Sequence, residues 1–177
     1  MSPLLFLYQI YMTQQELEVR TYVSNLLQER AALFLVDILF GGTASRRKIM
    51  VILDKDTGIL IDECGEFSRA LGNLIEENNL FGDSPYVLEV SSPGMDRPLT
   101  VTRQYQRRIG NTLNFLLNDG AQFEAVLKNV SEEGVVVEPV PQKVKKSKKE
   151  AVPELALEPR KIRFEEIKKC NLIVSFK

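Results

Sequence analysis

The sequence contains no histidine and no tryptophan, and only two cysteines among its 177 residues. Histidine is the commonest general acid or base at neutral pH and the commonest metal ligand, so its absence excludes Ser-His and Cys-His nucleophile pairs. Cys64 and Cys170 lie far apart, each in an apolar pattern, and we expect them to pack as small hydrophobic residues. These absences predict a protein that is not an enzyme and holds no cofactor or metal, and the sparse cysteines favour a reducing, cytoplasmic compartment.

The sequence also has no apolar run long enough to cross a bilayer. The stretch MSPLLFLYQIYM at residues 1–12 is too short for that, and it lacks the basic start and the small-residue cleavage site of a secretory signal. We interpret residues 1–12 as an unstructured or mis-called leader, with an interfacial anchor as the alternative.

The net charge of −1 conceals an asymmetry between the two halves of the chain. Residues 1–100 carry 8 Lys and Arg against 14 Asp and Glu, which gives −6, and residues 101–177 carry 15 against 10, which gives +5. This split suggests that the second half meets an anionic partner and that the first half faces a basic protein. An unevenly charged, solvated surface is the alternative.

The pattern of residues 13–98 predicts a small α+β domain of order helix-strand-strand-helix-strand, with the helices on one face of a short sheet. Thr13 and Glu16 form a capping box before an amphipathic helix, and Asp62 stands where the N-cap of a second helix is expected. The predicted elements are a helix at 13–30, strands at 33–40 and 47–54 around a hairpin loop at 41–46, a helix at 62–79 and a strand from Tyr86.

The rest of the sequence predicts a connector at 99–110, which includes a short helix, and a small β-barrel at 111–177. Five short strands within 67 residues, two of them joined by the hairpin signal Asn118-Asp119-Gly120, suggest a barrel that closes its own edges. The predicted strands are 111–117, 121–130, 135–140, 162–164 and 172–176, with a single helical turn at 165–167.

The segment PQKVKKSKKEAVPELALEP at 141–159 interrupts the predicted barrel as a basic loop. Its composition cannot bury a core, and point charges on such a loop suit attraction to phosphates without base readout. A solvated segment that only aids solubility is the alternative. The five candidate RNA-binding lysines are Lys143, Lys145, Lys146, Lys148 and Lys149.

The stretch YVLEVSSPGMDRPL at 86–99 joins the two predicted domains. Pro93 and Gly94 suit the central positions of a type II turn. We expect the motif to shape the domain junction, with a backbone anion site as the alternative. Asp96 and Arg97 are candidates for a local ion pair, and Arg97 is alternatively an exposed contact for rRNA or protein. The junction motif comprises Ser91, Ser92, Pro93, Gly94, Asp96 and Pro98.

Three stretches carry a resemblance to a known family. The string LEVSSPGMDRPL resembles the signature segment of the bacterial ribosome maturation factor RimP family, and GILIDECGEFSRAL and IRFEEIKKCNLIVSF are similar to two further segments of that family. The resemblance spans residues 13–176 and implies a barrel like those of SH3 or Sm proteins. It implies a non-catalytic, monomeric assembly factor of the small (30S) subunit. Its implied partners are the immature subunit and a decoding-region protein of that subunit, with contact to rRNA possible.

Two other function classes fit parts of the sequence. A generic barrel-type RNA-binding protein or RNA chaperone would account for the basic half, but it gains nothing from a first half of charge −6. A small enzyme acting on RNA or nucleotides would need convergent polar residues, which the sequence does not offer.

The first prediction concerns the leader. A chain that begins at Met12 should keep the melting temperature and the ribosome association of the full chain, because the capping box starts at Thr13. Thermal unfolding and co-sedimentation with ribosomal subunits measure the two properties. A large loss of either would show that the leader packs or binds.

Overall fold

The computed structural model describes residues 13–43, 46–140 and 159–173. These residues form two compact units, one ending at Pro93 and the other beginning at Gly94. The sequence had placed residues 94–98 in the first domain. The candidate lysines of the loop lie outside the described residues, as do the leader and the last four residues of the chain.

The first unit is an α+β domain with the predicted order of elements. Its three strands form one sheet in the order β1-β2-β3, and the two helices pack on it. The elements are α1 (Gln14–Gln28), β1 (Leu33–Thr43), β2 (Arg46–Lys55), α2 (Ile61–Glu77) and β3 (Tyr86–Ser91).

The helix α1 begins where the capping box predicts. The Thr13 hydroxyl accepts a hydrogen bond from the Glu16 N–H at 3.2 Å, and the Glu16 carboxylate accepts one from the Thr13 N–H at 3.0 Å. Both groups would otherwise lack an intrahelical partner. Val19 and Val23 are fully buried. The polar face of α1 therefore points away from the core that it shares with the sheet and α2.

The β1–β2 hairpin is longer than expected. Gly41 and Gly42 continue the ladder opposite Lys48 and Arg47, and the last pair is Thr43 with Arg46, so the predicted hairpin loop at 41–46 is too long. Gly42 has φ +86°, and a Cβ atom there would clash with the Arg46 carbonyl oxygen, so this position of the hairpin requires glycine. The strand β3 pairs parallel to β2, since α2 carries the chain back across the sheet.

The start of α2 also differs from the expectation. The N-cap residue is Leu60, and Asp62 lies within the first helical turn. The Glu63 carboxylate accepts the Leu60 N–H at 2.9 Å, which replaces the side-chain cap that Asp62 was expected to provide. Because Asp62 still lies near the positive end of the helix dipole, its charge remains favourable there. The predicted apolar stripe is confirmed: Cys64, Phe67, Leu71 and Ile75 are buried and Leu74 packs beside them.

The second unit is a five-stranded antiparallel sheet preceded by a short helix. The sheet order is β7-β6-β5-β4-β8. The elements are α3 (Thr102–Gln106), β4 (Thr112–Leu117), β5 (Gln122–Val130), β6 (Gly134–Pro139), β7 (Arg160–Arg163), a 3₁₀ turn (Phe164–Glu166) and β8 (Ile167–Leu172).

The last strand begins earlier than predicted. Pairing with β4 starts at Ile167 opposite Leu117 and runs to Leu172 opposite Leu113, so the prediction of a strand at 172–176 is wrong in its start. The adjacent lysines Lys168 and Lys169 obscure the alternation on which the prediction relied. The hairpin at Asn118-Asp119-Gly120 is confirmed by the Leu117 N–H bond to the Ala121 carbonyl at 2.9 Å.

The order of strands in the second unit constrains the shape of its sheet. β7 and β8 lie at opposite edges, yet only the three residues of the 3₁₀ turn connect them. Five strands laid flat would separate the two edges by about 19 Å, whereas a three-residue 3₁₀ segment spans about 6 Å. The sheet is therefore strongly curled over the core of Leu113, Phe115, Leu127 and their neighbours.

The second prediction concerns Gly134, the first residue of β6. A Cβ atom there would clash with the Ile162 carbonyl oxygen and lie 2.8 Å from the Arg163 Cα, so Gly134→Ala should destabilise the protein by about 2–3 kcal/mol. Gly120→Asn is the matched control, because Gly120 has φ +89° but open space, and Asn tolerates that conformation. Urea unfolding measures both. Equal stability of Gly134→Ala and wild type would contradict the close approach of β6 and β7.

Candidate partner-binding surfaces

The outer face of α2 is acidic. The helix contains five acidic residues and one basic residue, and its apolar stripe points into the core. Four of the five acidic side chains are exposed, namely Asp62, Glu66, Glu76 and Glu77. This face is the largest charge feature that the structure assigns to one element of the first unit.

Glu63 does not belong to the exposed acidic face. Its position off the apolar stripe predicts an exposed contact, as it does for Glu66, Glu76 and Glu77. The Glu63 carboxylate is instead half-buried and lies 2.8 Å from the Lys55 ammonium. The hydrogen bonds from Lys55 and from the Leu60 N–H lower the pKa of Glu63. Glu63 therefore serves the local structure of the helix start.

An exposed apolar pair lies beside the acidic face. The side chains of Leu60 and Ile61 are 65% and 87% exposed, and they follow Ile59, which packs on the core. Sequence analysis missed this pair because both residues match the general apolar character of the segment. Their exposure could have been inferred from their position at the helix start, because they precede the apolar stripe that begins at Cys64.

Most basic residues on the described part of the second sheet have acidic or aromatic neighbours. Lys161 pairs with Glu133 at 2.7 Å, which lowers the pKa of that carboxyl. Arg160 lies over the Phe123 ring with its guanidinium carbon 4.0 Å from the ring centroid. Other pairs join Lys128 to Glu138 and Arg163 to Glu165 and Glu166. The positive charge of this sheet is therefore locally balanced over much of its surface.

The chain bends at residues 95–97, just after the Pro93-Gly94 position where the sequence predicts a turn. Gly94 has φ +69°, the conformation that a type II turn requires after Pro93. Beyond it, the Asp96 carbonyl accepts a hydrogen bond from the Asn171 amide at 3.0 Å. Within the described part of the chain no ion pair joins Asp96 to Arg97. Arg97 is half-buried, and its role as a partner contact stays a prediction.

The connector is fixed to the last strand by hydrogen bonds around Tyr105. The Leu99 N–H donates to the Cys170 carbonyl at 2.8 Å, and the Tyr105 hydroxyl donates to the Leu99 carbonyl at 3.2 Å. Tyr105 is almost fully buried, and its ring lies 5.2 Å from that of Phe164. Burial raises the pKa of Tyr105 well above its usual range, which keeps its hydroxyl a donor. These contacts make residues 96–105 part of the second unit.

Neither a metal centre nor a membrane-spanning element is evident in the described residues. No group of three or more Cys, Asp and Glu side chains converges there to hold a metal ion. Within the same ranges, every helix is too short or too polar to cross a bilayer.

Comparison with known proteins identifies the family. Residues 24–96 match the family model described as the RimP N-terminal domain. The ribosome maturation factor RimP of Cytophaga hutchinsonii is 83% identical over 167 residues, which are 94% of this chain and all of that protein. The RimP of Chlorobium limicola is 34% identical over 64% of this chain and 69% of its own length, and that of Kineococcus radiotolerans is 38% identical over 58% and 52%.

These similarities place the chain in a class of ribosome biogenesis proteins, the ribosome maturation factors. Within that class the chain belongs to the RimP family. The resemblance found in the sequence is thereby confirmed.

The third prediction concerns the two thiols. Burial raises the pKa of Cys64, and it raises that of Cys170 to about 12. Because the thiolate is the reactive form, both thiols should react slowly with a chromogenic disulfide reagent at about pH 8 in the native protein and rapidly after unfolding in guanidinium chloride. Fast native labelling of Cys170 would contradict its burial.

The raised pKa of Cys170 predicts that the folded protein loses stability at alkaline pH. The Cys170 thiol loses its proton at lower pH in the unfolded chain than in the folded one, so its contribution to stability is complete below about pH 8.5 and is lost as the pH rises toward the folded value of about 12. The free energy of unfolding should therefore fall across this window. A Cys170→Ala variant, less stable at neutral pH, should show a shallower decline.

Proposed function

We propose that this protein is a non-catalytic, cytoplasmic assembly factor that acts in maturation of the small (30S) ribosomal subunit, where it binds the immature subunit as a monomer. The observation that carries the proposal is 83% identity with a ribosome maturation factor along that protein's whole length. The absence of histidine from the chain supports a role without catalysis, because the usual acid-base residue and two nucleophile pairs are unavailable.

The two halves of the chain divide the binding by charge. The acidic N-terminal half contacts a basic ribosomal protein of the decoding region, and the basic C-terminal half faces the particle and its rRNA. The charges of −6 and +5 support this division, as does the exposed acidic face of α2. Acidic surface raises the rate of encounter with a basic partner and disfavours nucleic acid. An acidic face of this kind would not contribute to binding by a generic RNA-binding protein.

The C-terminal domain is a small barrel of the SH3 or Sm type. The support for closure is the three-residue 3₁₀ turn between the two edge strands of its sheet, which requires a curl too strong for an open layer. The basic segment at 141–159 lies in the sequence between β6 and β7 of this unit.

The lysines of this loop attract rRNA phosphates. Much of the positive charge on the described sheet is balanced by neighbouring carboxylates, whereas the loop concentrates five lysines within seven residues. Lysine ammonium groups act as point charges on phosphate and require no fixed base geometry. The loop thus contributes affinity without sequence preference.

The fourth prediction tests this proposal in the full chain. Charge reversal of Lys143, Lys145, Lys146, Lys148 and Lys149 should weaken binding to immature small subunits and flatten its salt dependence, with little effect on thermal stability. Each lost lysine–phosphate contact removes a slope of about 0.7–0.9 from the plot of log affinity against log salt. Titration of labelled subunits over a range of salt concentrations measures both effects.

A variant with Lys168→Glu and Lys169→Glu is the matched control, because these exposed lysines lie on β8 rather than in the loop. The control should bind with a slope closer to that of wild type. Wild-type affinity and slope in the loop variant, together with weakened binding in the control, would assign the phosphate contacts to the sheet. Absence of any binding by the wild-type chain would reject the proposed function.

A further inference from the structure

Two large apolar side chains lie next to each other on the surface of the N-terminal domain. Leu60 and Ile61 are 65% and 87% exposed, whereas the other exposed large apolar residues among the described residues of the domain, Leu17, Leu39 and Val87, are 40–41% exposed. Those three are isolated along the chain. Single exposed apolar residues are ordinary, but an adjacent pair with this exposure is not.

Folding does not account for this pair. Leu60 is the N-cap of α2, and a leucine side chain offers no oxygen to the first N–H groups of the helix, so Ser, Thr or Asp would be favoured there. Ile61 occupies the first helical position and contributes nothing to the core that starts at Ile59 and Cys64. Polar residues at positions 60 and 61 would make the folded domain more stable than Leu and Ile do.

The surroundings of the pair are acidic. Asp62 follows directly, and Glu66 lies one helical turn further along the same side, with both side chains exposed. Two cations lie near this end of the helix: the Lys55 ammonium is 2.8 Å from the Glu63 carboxylate, and the Arg69 guanidinium reaches back to 3.6 Å from the Cβ position of Gly65. With Asp62, Glu63 and Glu66 against these two cations, a small negative excess remains. An RNA backbone would be repelled by this rim, whereas lysine and arginine side chains of a protein would be attracted.

We propose that Leu60 and Ile61 form the apolar anchor through which the N-terminal domain binds a basic protein of the small subunit. The partner surface is an apolar cleft flanked by lysine or arginine side chains that meet Asp62 and Glu66. This inference rests on the proposed function and adds to it the contact residues. Burial of a few large side chains dominates the affinity of many interfaces, and the surrounding charges set the rate of encounter.

The test uses the full chain with Leu60→Thr and Ile61→Gln combined. Because Thr is a better N-cap than Leu, the variant should unfold at the same temperature as wild type or slightly higher. Its dissociation constant for a purified basic decoding-region protein of the small subunit should rise by about 30-fold or more, mainly through faster dissociation, with an unchanged salt slope. Surface plasmon resonance separates the two rate constants.

Two matched variants complete the test. Val87→Thr removes one isolated, exposed apolar side chain from the same domain and should bind like wild type. Asp62→Asn combined with Glu66→Gln should slow association and flatten the salt dependence without a comparable change in dissociation.

The outcomes separate this inference from the proposed function. If the Leu60 and Ile61 variant binds like wild type while the acidic variant associates more slowly, the anchor is rejected and the charge division stands. If neither change affects binding of a protein that the wild-type chain does bind, both the anchor and the charge division are rejected. If the Leu60 and Ile61 variant instead loses affinity for naked rRNA, the anchor to a protein is likewise rejected.

Discussion

The N-terminal domain depends on the burial of two helical stripes against one face of a three-stranded sheet. Phe67, Leu71 and Ile75 from α2 and Val19 and Val23 from α1 are fully or almost fully buried there. Each such side chain contributes about 1.5–3 kcal/mol, far more than any surface ion pair. This burial fixes the rotation of α2 about its axis, so the core determines that the acidic side chains and the Leu60–Ile61 pair point outward. The exposed acidic and apolar side chains of α2 are thus a consequence of the packing.

A different constraint organises the C-terminal unit. The short link between β7 and β8 curls the sheet, and the connector is held against β8 by the bond between Leu99 and Cys170. The Tyr105 hydroxyl adds a hydrogen bond that it donates to the Leu99 carbonyl. The chain therefore enters the second unit beside the strand that completes it. Residues 94–98 belong to that unit for the same reason.

Much of the fold was predictable because its signals are local. The capping box at Thr13 and the stripe of α2 depend on residues three or four positions apart, and both predictions are confirmed. The start of β8 and the extension of β1 through Gly42 depend on pairing partners distant in sequence, which local patterns cannot supply. The position of Leu60 and Ile61 before the apolar stripe was a local signal of their exposure, but an ambiguous one, since the same apolar residues would suit a buried helix start. The lysine loop and Arg97 stay predictions.

The strand β4 can pair with β8 only at the end of synthesis. β4 is the first strand of its sheet to be made and β8 the last, and Leu113 meets Leu172 across the ladder. The N-terminal domain contains all its own strands before Pro93, so it folds while later residues are still being added. Until residue 172 emerges, the outer side of β4 has no neighbour in its sheet and offers unpaired N–H and C=O groups to other chains. A nascent chain of this protein thus passes through a stage in which one half is complete and the other half is open to mispairing.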